Sequence, residues 1–332
     1  MSNKTVKFTV IGNPTHIIKK VSEFELNLVG FADLPLDNSV ESIFEPIYDN
    51  VNAIMGENTI AYPLNGGWIG SLNYIECYSG YWILMNQADS LLISGAGICS
   101  EDQVYEIHES SNLISYPMYQ EQLLSSAFPS SELDNIIAVF GVGVSALNID
   151  GEFYGSLNSL EPFSGYWLIS ENDFEFSYNH PNDDIARDII DHTNIIDHTK
   201  DVPEEFTFSQ STNQAFYFVE DVLIDGNPIT EDDLLLAYCD NTLVGSRYWF
   251  GKYSDIPTMG ISDVFGSEKY CGEGDMPAFK VLQGNGEIYD LEGDVSQWTN
   301  NSIHVVGVLS NVEVYPNELT LYSAYPNPFN PS

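Results

Sequence analysis

The chain has 332 residues, 43% hydrophobic and 13% aromatic, which suffices for two or three domains with buried cores and excludes a disordered protein. Lys and Arg number 10 against 49 Asp and Glu, a formal net charge of −39, which excludes nucleic acid and anionic lipid as partners by repulsion. No stretch approaches the roughly 20 consecutive apolar residues of a spanning helix, so no membrane insertion is expected.

In chain order, the opening stretch "MSNKTVKFTVIGNPTHII" has neither a continuous apolar core nor a small-residue cleavage site. It does not read as a secretory signal: either one has been removed or the chain never carried one. From about residue 20 to 180 the sequence repeats itself. "DNVNAIMG" from Asp49 returns as "DNIIAVFG" from Asp134, and "GSLNYIECYSGYWIL" from Gly70 returns as "GSLNSLEPFSGYWLI" from Gly155, both at an offset of 85 residues. Two copies of one module follow from this. Inside each copy the runs "FELNLVGF", "NLISYPMY", "GYWILM" and "GYWLIS" predict strands, and only "SVESIF" (39–44) and "QEQLLSSAF" (120–128) predict a short helix.

The repeated Ser-Gly-Tyr-Trp turn sends adjacent rings to opposite faces of a strand. Two roles fit it. Trp82 and Trp167 serve as core anchors of twin folds, or Tyr81, Trp82, Tyr166 and Trp167, with Glu76 and Glu161, form an exposed platform for a glycan or a protein. Trp249 joins the ligand-binding candidates.

The segment 181–205 breaks the β pattern. It duplicates "IIDHTN" as "IIDHTK", places Ile185, Ile189 and Ile196 at helix-like spacing, and reads as an acidic linker with helical character. His192 and His198 point to different sides of such a helix, which makes one metal site awkward. Beyond it, "QAFYFVEDVLIDG", "LLLAYC", "TLVGSRYW", "PAFKVLQG" and "SIHVVGVLS" predict the strands of a β-sandwich. The expected fold is therefore mainly β, with modules at 1–105 and 106–180, a linker at 181–205, a sandwich at 206–315 and a tail at 316–332.

Acidic residues gather at the sandwich turns. Asp221, Asp225, Asp232, Asp233, Asp240 and Asp275 are candidate calcium ligands, although turns favour Asp for backbone reasons and no EF-hand spacing is present. Cys77, Cys99, Cys239 and Cys271 fall two to each half, 22 and 32 positions apart, with no CxxC pair. Two intradomain disulfides, each worth about 3 kcal/mol, fit an extracellular protein. Four free thiols are the alternative, since Pro162 stands where the repeat would repeat Cys77.

The segment from Phe206 to about Val312 resembles a β-sandwich module of large secreted proteins of marine Bacteroidota-like bacteria. The resemblance rests on "QAFYFVEDVLIDG", "EDDLLLAY", "LVGSRYW", "IPTMG" and "YCGEGDMPAFKV". The 85-residue repeats are similar to the "NLIS…GYW" modules that accompany it. "AYPNPFNPS", Ala324 to Ser332, resembles the truncated opening of a type IX secretion C-terminal sorting domain. The resemblance implies export or surface display and no reaction.

No GxSxG, HExxH or P-loop motif is present, and no Cys has a credible His partner. The expectation is a non-catalytic extracellular or surface-displayed adhesion protein that binds a glycan or a protein. A structural or appendage protein such as a phage virion surface protein, and an accessory region of a secreted hydrolase, are the alternatives.

Overall fold

The computed structural model describes residues 5–10, 25–87, 89–94, 99–100, 102–181, 200–262 and 267–312. It is mainly β, with 47% of the described residues in strands and 8% in helices. The helical character expected around Ile185 to Ile196, with His192 and His198, and the sorting-signal residues Ala324 to Ser332 lie outside the described residues.

The repeat folds as a repeat. The first five-stranded antiparallel sheet runs, in spatial order, Glu25–Val29, Tyr81–Met85, Val51–Gly56, Thr59–Leu64 and Gly67–Gly70. The second runs Ser110–Ser115, Gly165–Ser170, Ile136–Phe140, Ser145–Ile149 and Glu152–Gly155 in the same order. Turn chemistry fixes both in register. Asn65-Gly66 and Asp150-Gly151 carry φ of 52° and 84°, and 54° and 87°, the left-handed pair that closes a two-residue hairpin with the strand twist. A bulge shifts the register between Val51 and Ala53 and again between Ile136 and Ala138. The short helices form as expected, Val40–Phe44 capped by the Ser39 hydroxyl, and Leu124–Ala127. A two-stranded ribbon completes each copy, Thr5–Val10 with Asp89–Ser94 and Tyr105–Ile107 with Phe174–Phe176.

The two copies meet about a pseudo-twofold axis. Gly30 N donates to Phe163 O at 2.8 Å, and its equivalent Ser115 N donates to Tyr78 O at 3.1 Å. The bridges Val29–Ser164 and Ser79–Ile114 are likewise equivalent. Each Gly of the repeated tetrapeptide lies against the other copy: a Cβ on Gly80 would sit 2.7 Å from Ile114 O, and one on Gly165 2.9 Å from Val29 O. That proximity explains the glycine.

The C-terminal module is a sandwich of two four-stranded sheets. In one, Gln214–Ile224 pairs antiparallel with Ser254–Met259, turns into Asn227–Pro228, and pairs in parallel with Ile303–Ser310. The other runs Thr242–Tyr248, Leu234–Cys239, Ala278–Leu282 and Ile288–Leu291. Between them lies a core that includes Tyr217, Val244, Phe279 and Trp298. Both cysteine pairs are disulfides, Cys77–Cys99 in the first module and Cys239–Cys271 in the sandwich.

The sandwich sits on the outer face of the second sheet. Phe216 and Phe218 pack with Ala138, Phe140, Leu147 and Ile169, each buried ring contributing about 1.5–3 kcal/mol. At the centre of that contact Asp255, fully buried, accepts from Ser145 Oγ at 2.9 Å and from Ser156 Oγ at 2.7 Å, and faces Arg247 Nη2 at 3.4 Å. Arg247 Nη2 also donates to Gly143 O.

Candidate functional site

The Ser-Gly-Tyr-Trp turns anchor their folds through Tyr81, Trp82 and Tyr166, and of the four rings Trp167 alone is partly exposed. Tyr81, Trp82 and Tyr166 are buried, at 2%, 2% and 4% exposure. The phenol oxygen of Tyr81 accepts from Glu76 N at 2.8 Å, and that of Tyr166 accepts from Glu161 N at 2.7 Å. Each tyrosine thus reaches back five residues and ties down the preceding loop, and burial pushes both phenols up to about 12. The contribution of Glu76 and Glu161 to these turns comes from their backbone amides. Trp82 enters a cluster with Leu28 and Leu113, against which Trp167 packs. The physical reason is the pseudo-twofold axis, which turns these strand faces toward the other copy instead of solvent. Trp249 belongs to the sandwich core.

The six candidate calcium carboxylates are spread over the sandwich, Asp221 within the strand Gln214–Ile224 and the other five at its turns and loops. Asp233 is buried and caps its own turn, accepting from Thr230 N at 2.6 Å, Thr230 Oγ1 at 3.0 Å and Gly284 N at 3.0 Å. Asp221 accepts from Val222 N, Asp225 bonds with Asn311, Asp232 pairs with Lys200, and Asp275 accepts from Gly272 N. Asp225 and Asp240 sit at left-handed hairpin positions, with φ of 51° at each. Among the described residues no group of three or more His, Cys, Asp or Glu is placed to hold a metal ion.

The residues that do converge form a cleft of about 370 Å³ where all three modules meet. The first module supplies Met55, Glu57, Asn58 and Trp82, the second His108, Ser110, Ser111 and Trp167, and the sandwich Thr212, Asn213, Asn300 and Asn301. Trp167 is the partly exposed ring of the floor, backed by the buried Trp82. Three lining residues hold left-handed backbone, Asn58 and Asn301 at φ 55° and Ser110 at φ 85°. For serine that conformation is strained, and such strain concentrates at functional sites.

One wall is fixed electrostatically. Glu57 Oε1 lies 2.8 Å from His108 Nε2, while Glu57 Oε2 accepts from Leu113 N at 2.9 Å. The other ring nitrogen, Nδ1, faces Glu109 O at 2.8 Å. Both ring nitrogens therefore face acceptors, which only the imidazolium satisfies together; the Glu109 carbonyl and the Glu57 carboxylate raise the histidine pKa.

The opposite wall is made of amides. Asn213 donates through Nδ2 to Ile261 O at 2.6 Å, which keeps Oδ1 as an acceptor. Asn300 accepts from Gln214 N through Oδ1 at 3.1 Å, which keeps its NH2 as a donor. Among the described residues no Lys or Arg lines the cleft.

Apart from the two tryptophans, these lining residues carry no sequence signal, being mostly isolated polar residues at turns and strand ends of three separate modules. The fold and the cleft define a three-module, disulfide-bonded β protein with an aromatic-floored polar recess. No protein-family model, no curated protein and no solved structure matches the chain.

Proposed function

We propose that the protein is a non-catalytic, extracellular or surface-displayed binding protein whose ligand is a neutral glycan held in the three-module cleft. The observation that carries this reading is the lining itself. An indole face beside four asparagines, two serines and a threonine offers stacking for a sugar ring, together with side chains that both donate to and accept from vicinal hydroxyls. Charge decides against an anionic glycan. A sulfate or carboxylate would enter a cleft with no Lys or Arg among its described lining residues, on a chain of net charge −39. The two disulfides support an oxidising compartment and therefore export.

The test is a fluorescence titration of the full chain with neutral hexasaccharides (gluco-, xylo- and chito-oligomers) beside a sulfated oligosaccharide. The expected outcome is saturable quenching by at least one neutral oligomer and none by the sulfated one, with Trp167→Ala weakening binding by about 10–100-fold, as loss of one stacking ring implies. Absence of saturable binding by every neutral oligomer would remove the proposal.

A further inference from the structure

We propose that Glu57 and His108 form a pH-operated latch between the two repeats, closed by the imidazolium and released by the neutral ring, which sets the position of one wall of the cleft. Glu57 stands on the two-residue turn Glu57-Asn58 that joins Val51–Gly56 to Thr59–Leu64 in the first module. Its carboxylate crosses to the second module with both oxygens, Oε1 at 2.8 Å from His108 Nε2 and Oε2 accepting from Leu113 N at 2.9 Å. The second of these bonds covers an amide on Ser110–Ser115, an edge strand of the second sheet.

The repeat separates what the turn needs from what Glu57 adds. Gly143, the counterpart of Asn58, keeps the left-handed backbone, at φ 64° against 55°. Val142 stands in place of Glu57 and is 44% exposed, and the sequence has Glu23 where the second copy has His108. The pseudo-twofold axis therefore cannot repeat this contact, and the turn does not require an acid. The acid serves a contact made on the side of the axis where the cleft lies.

The ring is held where one protonation state suits it. Asn112 pins the His108 backbone in both directions, accepting from its N–H at 2.9 Å and donating to its carbonyl at 2.8 Å. Glu109 is fixed in turn: its N–H donates to Asp173 Oδ1 at 2.8 Å, and its carbonyl faces His108 Nδ1 at 2.8 Å. A neutral imidazole carries one N–H, so one of its two acceptor contacts becomes lone pair against lone pair. Turning the ring to relieve that repulsion takes Nε2 off Glu57. The charged groups around the ring, Glu57 from the first module and Asp173 from the second, both favour the imidazolium. The sandwich presents Thr212, Asn213, Asn300 and Asn301 to the same cleft, none of which titrates. Asn58 follows Glu57 on the turn, and Ser110 lies two residues beyond His108; both line the cleft, so its wall moves with the latch.

The fold holds the His108 proton more tightly than a free histidine of pKa 6.5 does. The closed latch is therefore fully present below pH 6.5 and is lost as pH rises through the raised value.

The experiment is hydrogen exchange of the full chain, read by mass spectrometry below and above the His108 titration and corrected for intrinsic amide rates. Imidazole NMR resonances of wild type and His108→Gln locate that titration. The expected result is a several-fold loss of protection on the alkaline side in peptides covering 56–59 and 110–115, with none in peptides covering 141–144. In His108→Gln and, separately, Glu57→Gln, the first two segments should exchange alike on both sides. Thermal melts check that the variants remain folded. Equal wild-type protection on both sides overturns the proposal, as does a loss shared by 141–144, a loss that persists in His108→Gln, or a His108 that titrates at or below 6.5. None of these outcomes depends on whether the cleft binds a glycan.

Discussion

Trp82 and Trp167, 85 residues apart in the chain, pack into one apolar cluster across the pseudo-twofold axis, and the indole nitrogen of each is buried without a hydrogen-bond partner among the described residues. The pair is held by shape, since neither N–H is satisfied. Trp82→Ala is expected to cost about 3–5 kcal/mol, as for a large buried ring. Trp82→Phe should cost distinctly less, because it removes an orphaned donor along with part of the ring. Urea melts of the two variants check this; equal losses would mean that the N–H has a partner in solution.

The two buried phenols predict a shared alkaline transition. Tyr81 and Tyr166 ionise near 12 in the fold against 10 in the unfolded chain, because burial disfavours the phenolate. Their contribution to stability is fully present below pH 10 and is lost as pH rises through about 12. Absorbance titration of the tyrosinate band should show a late class of tyrosines ionising together with loss of the circular-dichroism signal. Tyr81→Phe and Tyr166→Phe should each cost about 1 kcal/mol at neutral pH by leaving the Glu76 or Glu161 amide unpaired. If only one of them destabilised, the two turns would not be energetically equivalent.

Asp255 couples the seat of the sandwich to pH. Burial raises its carboxyl pKa above 3.8, while Arg247 and the hydroxyls of Ser156 and Ser145 act in the opposite direction. The fold therefore holds that proton more tightly than the unfolded chain does. The associated stability is complete below about pH 4 and is lost as pH rises through the raised value. Asp255→Asn keeps an acceptor for Ser145 and Ser156 and abolishes the titration. The difference in melting midpoint between variant and wild type should move in the variant's favour from about pH 4 to about pH 7. A difference constant over that range would show Asp255 ionised throughout.

Much of the architecture was written locally. The 85-residue offset, the Asn-Gly and Asp-Gly hairpins, the Ser39 cap and the β-rich runs of the sandwich are set by residues within a turn or a strand of one another, and twofold alternation with left-handed turn residues needs no distant partner to act. The pairing of Cys77 with Cys99 and of Cys239 with Cys271 answers a question that spacing left open.

The burial of Trp82 and the partial burial of Trp167 were not decided at that level. A ring on the second face of a strand meets solvent or protein according to what the chain brings against it, and here the pseudo-twofold axis brings the other repeat. The cleft is still less local. Glu57 and His108 meet where the two repeats pack together, and Asn213 joins them only because the sandwich docks on the second sheet through Phe216, Phe218 and the buried Asp255. The sequence by itself determined the modules, their strands and their repetition, because those follow from short-range backbone and periodicity. The tertiary structure alone decided which faces are covered, which polar residues share a recess and which apolar strands stay bare, because burial depends on surfaces that are remote in the chain.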